Sequence, residues 1–239
     1  QGEWVDEDMV KPLFKQAGLT DWTFEKDDGI GLRTALYAIM DSMAEELQMV
    51  EQQPLVVPID QHFNVKGIGL VAIGYVQSGS VSVHDEITML PSGGTGSVKS
   101  LQVMDDDVPM AGAGDRVGIA LRNAKEESLS GTCLIVLPEL EDRRKDIHRP
   151  LALESHSLSQ MSLNISPFQK RKLTVGDVLH ASIDLQFVVG RVETIDGGVG
   201  TVRWETPLLQ RIENPPSVLI AQLDSKPRIM GDANLIKQE

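Results

Sequence analysis

Short apolar segments separated by glycine- and proline-containing turns make up most of the chain from Pro54 onward. They are rich in β-branched residues and are mostly shorter than ten residues, which favours strands over helices. The first six are PLVVPI, GLVAIGYVQ, SVSVHDEITML, GSVKSLQVM, DRVGIALR and TCLIVL. We predict turns between them at Ser78-Gly79, Pro91–Gly96 and Ala111–Gly114. Six short strands at this spacing predict a closed antiparallel β-barrel over residues 52–137.

A second set of strand candidates follows a charged segment bracketed by prolines, Pro138–Pro150, which we interpret as a linker. This set consists of LALESHSLSQMSLNI, TVGDVLHASIDL, QFVVGRVETI, VGTVRWETP and SVLIAQLD, with a strong turn signal at Gly197-Gly198. It predicts a second β-barrel or sandwich over residues 151–239.

The first fifty residues have a different pattern. Apolar residues recur at helical spacing over Gly31–Val50, which predicts a long helix, and Val10–Ala17 is a shorter helix candidate. The segment DWTF, residues 21–24, is a candidate strand. These elements are too few for an independent domain, so we interpret residues 1–51 as the end of a larger one.

One segment matches the dinucleotide-binding pattern G-x-G-x-x-[GA]. Gly67, Gly69 and Ala72 fit it, and Asp85-Glu86 follows at the distance of an acidic ribose ligand. In that fold the glycines open a helix. Here the residues after Gly69 are almost wholly apolar, end at Ser78-Gly79 and lead into a segment with a period of two. We therefore interpret the region as strand, turn and strand, and expect this chain to bind no NAD.

Composition limits the classes of protein and of site that the chain can form. No apolar run is long enough for a transmembrane helix, and the single Cys133 provides neither a disulfide framework nor a zinc cluster, so we predict a core thiol. The net charge of −13 argues against nonspecific nucleic-acid binding, although residues 150–239 are almost neutral, with 9 basic and 10 acidic residues. The five histidines are scattered, and we interpret Asp105-Asp106-Asp107 as a turn. We expect a cytoplasmic monomer without a metal site, catalytic residues or membrane contact.

Two stretches together carry a family resemblance. PLVVPIDQHFNVKGIGLVAIGYVQSGSVSVHDEITMLPSG resembles the start of the second domain of translational GTPases, whose pattern runs P-[IV]-x-x-x-F-x-[IV]-x-G-x-G. AGAGDRVGIALRNAKEESLSGTCLIV resembles the closing motif of that domain, with Asn123 where a glycine is usual. SPFQKRKLTVGDVLHASIDLQFVVGRVETI is similar to their third domain. The resemblance is to archaeal SelB-like elongation factors, a group that includes a proposed pyrrolysine-specific factor, and it covers residues 52–239.

The resemblance implies two antiparallel β-barrels preceded by the helical end of a GTPase domain. It also implies a factor that binds a specialised aminoacyl-tRNA and delivers it to the ribosome. In the family a short S-A-K motif precedes the last helix of the GTPase domain, whereas Phe24-Glu25-Lys26 occupies that place here. The chain also lacks a P-loop motif, so we expect GTP and Mg²⁺ to bind only if an intact domain precedes it. The alternative is an interaction protein that docks on the ribosome or a translation partner without nucleotide-driven tRNA delivery.

The resemblance also implies two sets of site residues. The pocket for the aminoacyl end of the tRNA would contain Asp60, Phe63, Met104, Asp105 and Arg116. Phe63 could equally be a core residue, and Arg116 could equally be a surface or salt-bridged arginine next to Asp115. The third domain would contact tRNA phosphates through Lys170, Arg171, Lys172, Arg191, Arg203 and Arg228. Each of these could instead be a solvated surface charge.

Overall fold

The computed structural model describes residues 6–19, 22–25, 28–142 and 147–236. The chain divides into two compact units, residues 1–46 and residues 47–239. Two α-helices are present, α1 at Glu7–Gln16 and α2 at Gly31–Glu51, and both predicted helices are confirmed. In the described parts of the chain, neither is long and apolar enough to cross a membrane.

The candidate strand at residues 21–24 is wrong for the part that can be checked. Residues 22–25 form no strand, and the ring of Trp22 instead packs edge to face against Phe14, with ring centroids 5.1 Å apart. A strand needs a hydrogen-bonded neighbour, and these four residues have none. Asp21 and Lys26, the last residue of the stretch compared with the S-A-K motif, lie outside the described residues.

The first barrel is built from the strands that follow α2. The strands are β1 (Val56–Val65), β2 (Gly69–Tyr75), β3 (Ser80–Ser82), β4 (Glu86–Leu90), β5 (Gly94–Val103), β6 (Asp106–Val108), β7 (Met110–Gly112), β8 (Arg116–Arg122) and β9 (Leu134–Val136). Six of them form a closed antiparallel ring in the order β4-β9-β1-β2-β8-β5, because β5 pairs back onto β4. A 3₁₀ helix, Glu126–Leu129, precedes β9. The predicted six-stranded barrel is confirmed.

One predicted strand of this barrel is in fact two. SVSVHDEITML divides into β3 and β4 because His84 has a φ of 78° and the Asp85 carboxylate accepts a hydrogen bond from the Ser82 N–H at 2.8 Å. The apolar alternation itself breaks here, since Val83 is followed by Ile87 rather than by an apolar residue at 85. β3 leaves the ring and pairs with β7, which forms where we predicted only a turn.

The glycine pattern lies in a hairpin. Val65 pairs with Gly69 across the turn that joins β1 to β2, and Gly67 and Gly69 have φ values of 85° and 106°. Glycine adopts such values without the steric cost that a side chain would add. No helix begins at Gly69, so the strand-turn-strand interpretation is confirmed.

The core of the first barrel consists of inward-facing residues from all six ring strands, with Val57, Ile87, Leu101 and Ile119 fully buried. Cys133 belongs to this core, as predicted, and burial raises the pKa of its thiol to about 12. A thiol with that pKa is protonated and unreactive at neutral pH.

The second barrel follows a short hairpin. The hairpin strands are β10 (Leu140–Asp142) and β11 (Ile147–Arg149), and the barrel strands are β12 (Leu153–Ile165), β13 (Val178–Ile183), β14 (Gln186–Asp196), β15 (Val199–Arg211), β16 (Val218–Ala221) and β17 (Ile229–Leu235). The ring closes in the order β12-β15-β14-β13-β16-β17, and Gly197-Gly198 forms the predicted turn between β14 and β15. The segment interpreted as a linker therefore carries a strand pair at its two ends, while residues 143–146 lie outside the described part.

An apolar seam joins the two barrels. Val56, Leu134 and Val136 from β1 and β9 are buried together with Leu153 and Leu209 from β12 and β15. Because β1 and β9 pair with each other, and β12 pairs with β15, the seam is formed by one strand pair from each barrel. Burial of apolar surface on both sides holds the barrels together.

We expect Gly74→Ala to lower the free energy of unfolding by about 1–3 kcal/mol or more. A Cβ atom at Gly74 would overlap the backbone carbonyl of Pro58 and lie 3.1 Å from the side chains of Ile59 and Val57. The control is Gly118→Ala on the neighbouring strand, where the nearest atom to a new Cβ is 3.9 Å away. Urea unfolding measures both variants. Equal stability of the two would contradict this packing.

Candidate functional site

A β-bulge in β1 exposes two consecutive side chains. The register between β1 and β2 shifts between Ile59 and Gln61, and Asp60 and Gln61 are both exposed although neighbours in a regular strand point to opposite faces. Asp60 therefore lies on the outer face of the first barrel instead of facing its core. The bulge positions a carboxylate where a ligand could reach it.

Arg116 lies opposite Tyr75 in the register of β8 and β2. The carbon of its guanidinium is 5.7 Å from the Tyr75 ring centroid, and its Nη2 is 3.8 Å from Oδ2 of Asp60. The side chains of Arg116 and Asp60 are 53% and 40% exposed. Arg116 is thus a surface arginine, and its ion-pair partner is Asp60 rather than Asp115, whose carboxylate accepts a hydrogen bond from the Gly112 N–H at 2.9 Å.

A tight turn brings Met104 and Asp105 beside Arg116. They form the two-residue turn between β5 and β6, with φ values of 52° and 70°, and Val103 pairs with Asp106 across it. Met104 is 91% exposed. This turn and the start of β8 enclose an open cavity of about 530 Å³, which we call the Arg116 cavity. Its lining includes Ile73, Gln102, Met104, Asp105, Arg116 and Gly118.

Phe63 lies on the same outer face but outside the lining of the Arg116 cavity. It pairs with Val71 on β2 and is 41% exposed, so the alternative of a core residue is wrong. Partly exposed Val71, Ile73 and Tyr75 continue from it along β2. This outer face therefore presents an apolar strip that runs toward Arg116.

The chemistry of the Arg116 cavity is that of a binding site. Arg116 can donate charge-assisted hydrogen bonds to a carbonyl or an anionic group, and Met104 and Tyr75 can cover an apolar one. An exposed ion pair contributes little to folding, so Asp60 and Arg116 remain available to a ligand. Within the ranges that the structure describes, no group of His, Cys, Asp and Glu side chains is arranged to hold a metal.

The six basic candidates all lie on the second barrel, and we call them the basic patch: Lys170, Arg171, Lys172, Arg191, Arg203 and Arg228. The first three lie in the loop between β12 and β13, and Arg228 lies in the loop between β16 and β17. The amide of Gln169 joins the two loops by donating to the Pro227 carbonyl at 2.9 Å. All six side chains are exposed.

Two carboxylates already bind Arg171. Its guanidinium is 3.0 Å from Asp224 and 2.9 Å from Asp177, and the hydrogen bond with Asp224 contributes most to raising the pKa of Arg171. Burial would raise the pKa of Asp177, but hydrogen bonds from Thr174 and the charge of Arg171 together outweigh it and lower that pKa. Arg171 thus connects two loops and is the least available of the six to a ligand.

Arg191 and Arg203 lie directly opposite each other on β14 and β15. Like charges at opposed positions of neighbouring strands destabilise a sheet. Glu193 binds Arg203, and Arg191 donates to the Gly176 carbonyl at 2.8 Å, and both contacts offset this repulsion. Arg191 has no carboxylate partner among the described residues, so an anionic ligand could bind to it.

Sequence reasoning missed Tyr75 and Gln102, which lie beside Arg116 on neighbouring strands. Both occupy outward positions of strands that were correctly predicted, so the alternation of β2 and β5 could have identified them once the pairing with β8 was known. The contact between Arg116 and Asp60 was also missed, because no local sequence pattern marks the β-bulge at Asp60.

Comparison with known proteins identifies related chains. Residues 69–135 match the family model of elongation factor Tu domain 2. An uncharacterised protein of Methanocaldococcus jannaschii is 27% identical over 195 residues, 82% of this chain and 57% of the relative. The selenocysteine-specific elongation factor of the same organism is 33% identical over 150 residues, 62% of this chain and 31% of the relative. The chain thus spans less than two thirds of the length of either relative.

A solved structure shows the same fold. The crystal structure of translation elongation factor SelB from Methanococcus maripaludis, in complex with the GTP analogue GppNHp, superimposes with a TM-score of 0.70 at 20% identity. The likeness covers 97% of this chain and 54% of that one. The tandem arrangement of two closed six-stranded barrels is therefore shared.

We expect a double-mutant cycle with Asp60→Asn and Arg116→Gln to give a coupling free energy below about 1 kcal/mol, because both side chains are exposed. The control is the pair Asp184 and Arg211, whose side chains are only 5% and 12% exposed at 3.1 Å. Removing one member of that buried pair should cost about 3–5 kcal/mol. Urea unfolding of the variants measures the free energies for both pairs. A coupling free energy above about 2 kcal/mol between Asp60 and Arg116 would show that their contact stabilises the fold.

Proposed function

Because this chain belongs to the elongation factor Tu and SelB family of translation factors, we propose that it binds a specialised aminoacyl-tRNA for delivery to the ribosome. The aminoacyl group would occupy the Arg116 cavity of the first barrel. The tRNA body would bind the basic patch of the second barrel.

The observation that carries this proposal is the exposed pair of Arg116 and Asp60, with Arg116 beside the turn of Met104 and Asp105. Nη2 of Arg116 and Oδ2 of Asp60 are 3.8 Å apart, and Arg116 lines the cavity, so the guanidinium can exchange its partner for a ligand. Arg116 and Asp60 come from different strands, and Met104 and Asp105 come from a turn that lines the cavity together with Arg116. Three of the five residues assigned to the pocket, Met104, Asp105 and Arg116, therefore line one cavity, and Asp60 lies outside its lining but 3.8 Å from Arg116.

The chemistry of the cavity favours an aminoacyl group with a polar acceptor. Arg116 would donate to a carbonyl or an anionic atom, and Tyr75 holds the guanidinium in place by a cation–π contact at 5.7 Å. Asp60 and Asp105 disfavour a second anion near the mouth. Phe63, outside the cavity lining, would contact the terminal nucleotide rather than the amino acid.

The basic patch would contribute affinity that does not depend on the amino acid. Phosphate contacts through lysine and arginine are independent of sequence and weaken with salt. The opposed Arg191 and Arg203 offer a position where a phosphate would relieve like-charge repulsion. GTP and Mg²⁺ would bind only if an intact GTPase domain precedes this chain, which spans 57% and 31% of the two relatives named above.

We expect Arg116→Ala to weaken binding of aminoacylated tRNA by about ten- to a hundredfold and to leave deacylated tRNA unchanged. The loss corresponds to one charge-assisted hydrogen bond, worth about 1.5–3 kcal/mol. Arg203→Ala should weaken both tRNAs alike and reduce the salt dependence by about one charge. Filter binding of an aminoacylated total tRNA preparation, and of the same preparation after deacylation, measures both effects.

Arg122→Ala is the matched control, because Arg122 is exposed at the other end of β8. It should bind both tRNAs like the unmodified chain. An equal loss for both tRNAs in the Arg116 variant would remove that residue from the pocket. Unchanged binding in both the Arg116 and the Arg203 variants would favour docking on the ribosome or a translation partner without tRNA delivery.

A further inference from the structure

An exposed aromatic ring on the second barrel has no role in its core. Phe187 lies near the start of β14, points outward and is 52% exposed. The imidazole of His180 on β13 stacks on it, with ring centroids 4.9 Å apart and planes at 20°. The two rings therefore hold each other in a fixed orientation, and a large part of the Phe187 ring remains open to solvent.

A small residue lies beside Phe187 in the sheet. The partner of Phe187 across the sheet is Ser182, and the partner of Ser182 on β16 is Leu219, which is 41% exposed. Because the Ser182 side chain is small, the surface between Phe187 and Leu219 is depressed next to the aromatic ring. A planar group could lie against the ring without a clash from this side.

Positive charge lies next to this surface. Arg191 is four residues beyond Phe187 on the same strand and the same face, about 13 Å away at the usual strand rise. Arg203 lies directly opposite Arg191 on β15. Arg203 is paired with Glu193, whereas among the described residues Arg191 forms no ion pair and donates only to the Gly176 carbonyl. The guanidinium of Arg191 can therefore bind an anionic group next to this surface.

We infer that Phe187 is a stacking platform for an unpaired base of an RNA strand whose neighbouring phosphates contact Arg191 and Arg203. The inference deepens the proposed function and rests on it, since it assumes that the second barrel binds RNA. A paired base in a helix already stacks on both faces, so an exposed ring selects an unpaired one. A ring beside cations suits a nucleotide, which combines a flat π-face with a phosphate.

A short single-stranded oligoribonucleotide carrying one 2-aminopurine tests the inference, because stacking on an aromatic ring quenches its fluorescence. The full chain should quench and bind this probe. Phe187→Leu keeps an apolar side chain but removes the ring, so we expect at least a fivefold loss of affinity and loss of quenching. Phe187→Trp should retain both. Leu219→Ala, the matched control on the other side of Ser182, should bind like the unmodified chain.

Three results would overturn the inference. One is that the unmodified chain does not bind the probe, and another is that Phe187→Leu binds and quenches it normally. The third is that Leu219→Ala loses as much as Phe187→Leu, which would indicate an apolar protein-docking surface. Circular dichroism checks that each variant is folded.

The same variants separate this inference from the proposed function. If Phe187→Leu binds aminoacylated tRNA normally while Arg116→Ala does not, the stacking inference is wrong and the proposed function stands. If the unmodified chain quenches the probe but does not distinguish aminoacylated from deacylated tRNA, the aminoacyl pocket is wrong and the stacking platform stands.

Discussion

Closure of both barrels is the constraint on which the rest of the structure depends. Every ring strand has a hydrogen-bonded neighbour on each side, so ring strands offer no free edge to a ligand. The interiors are filled by apolar side chains. Binding must therefore use outer faces and turns. The Arg116 cavity consists of one outer face and the turn between β5 and β6, and the basic patch consists of one outer face and two loops.

Burial distinguishes one ion pair of the second barrel from the pair of Arg116 and Asp60 in the first. Arg211 donates to Asp184 at 3.1 Å where both are nearly buried, and burial raises the pKa of Asp184 against the opposing charge of Arg211. That pair joins the end of β15 to the turn between β13 and β14. Arg116 and Asp60 are exposed, and neither holds two elements of the fold together. Burial thus separates a structural ion pair from one that is free to bind a ligand.

Much of the fold could be predicted from local sequence, and the failures have physical causes. Strands and hairpins follow from apolar alternation and from turns such as Gly197-Gly198, which depend only on neighbours in sequence. The division of β3 from β4 was missed because Asp85 breaks the alternation for only one residue. The seam between Val56 and Leu209 depends on pairings far apart in sequence, which no local pattern encodes.

The contacts of the candidate site likewise depend on strand pairings that local sequence does not encode. The residues of the Arg116 cavity were located through a family motif, whereas the contact of Arg116 with Asp60 depends on a bulge and on the register of three strands. Phe187 was not recognised because QFVVG is apolar on both alternating faces, so its outward direction cannot be read from periodicity. Only the pairing of β14 with β13 reveals which face is inside.

Hydrogen–deuterium exchange of the full chain with aminoacylated and with deacylated tRNA tests the central claim most directly. We expect aminoacylated tRNA to slow exchange at residues 104–105 and 114–116, because the aminoacyl group would cover them. Both tRNAs should slow exchange in the loop at residues 166–177. Equal protection of residues 104–116 by the two tRNAs, or protection by neither, would contradict the assignment of the Arg116 cavity to the aminoacyl group.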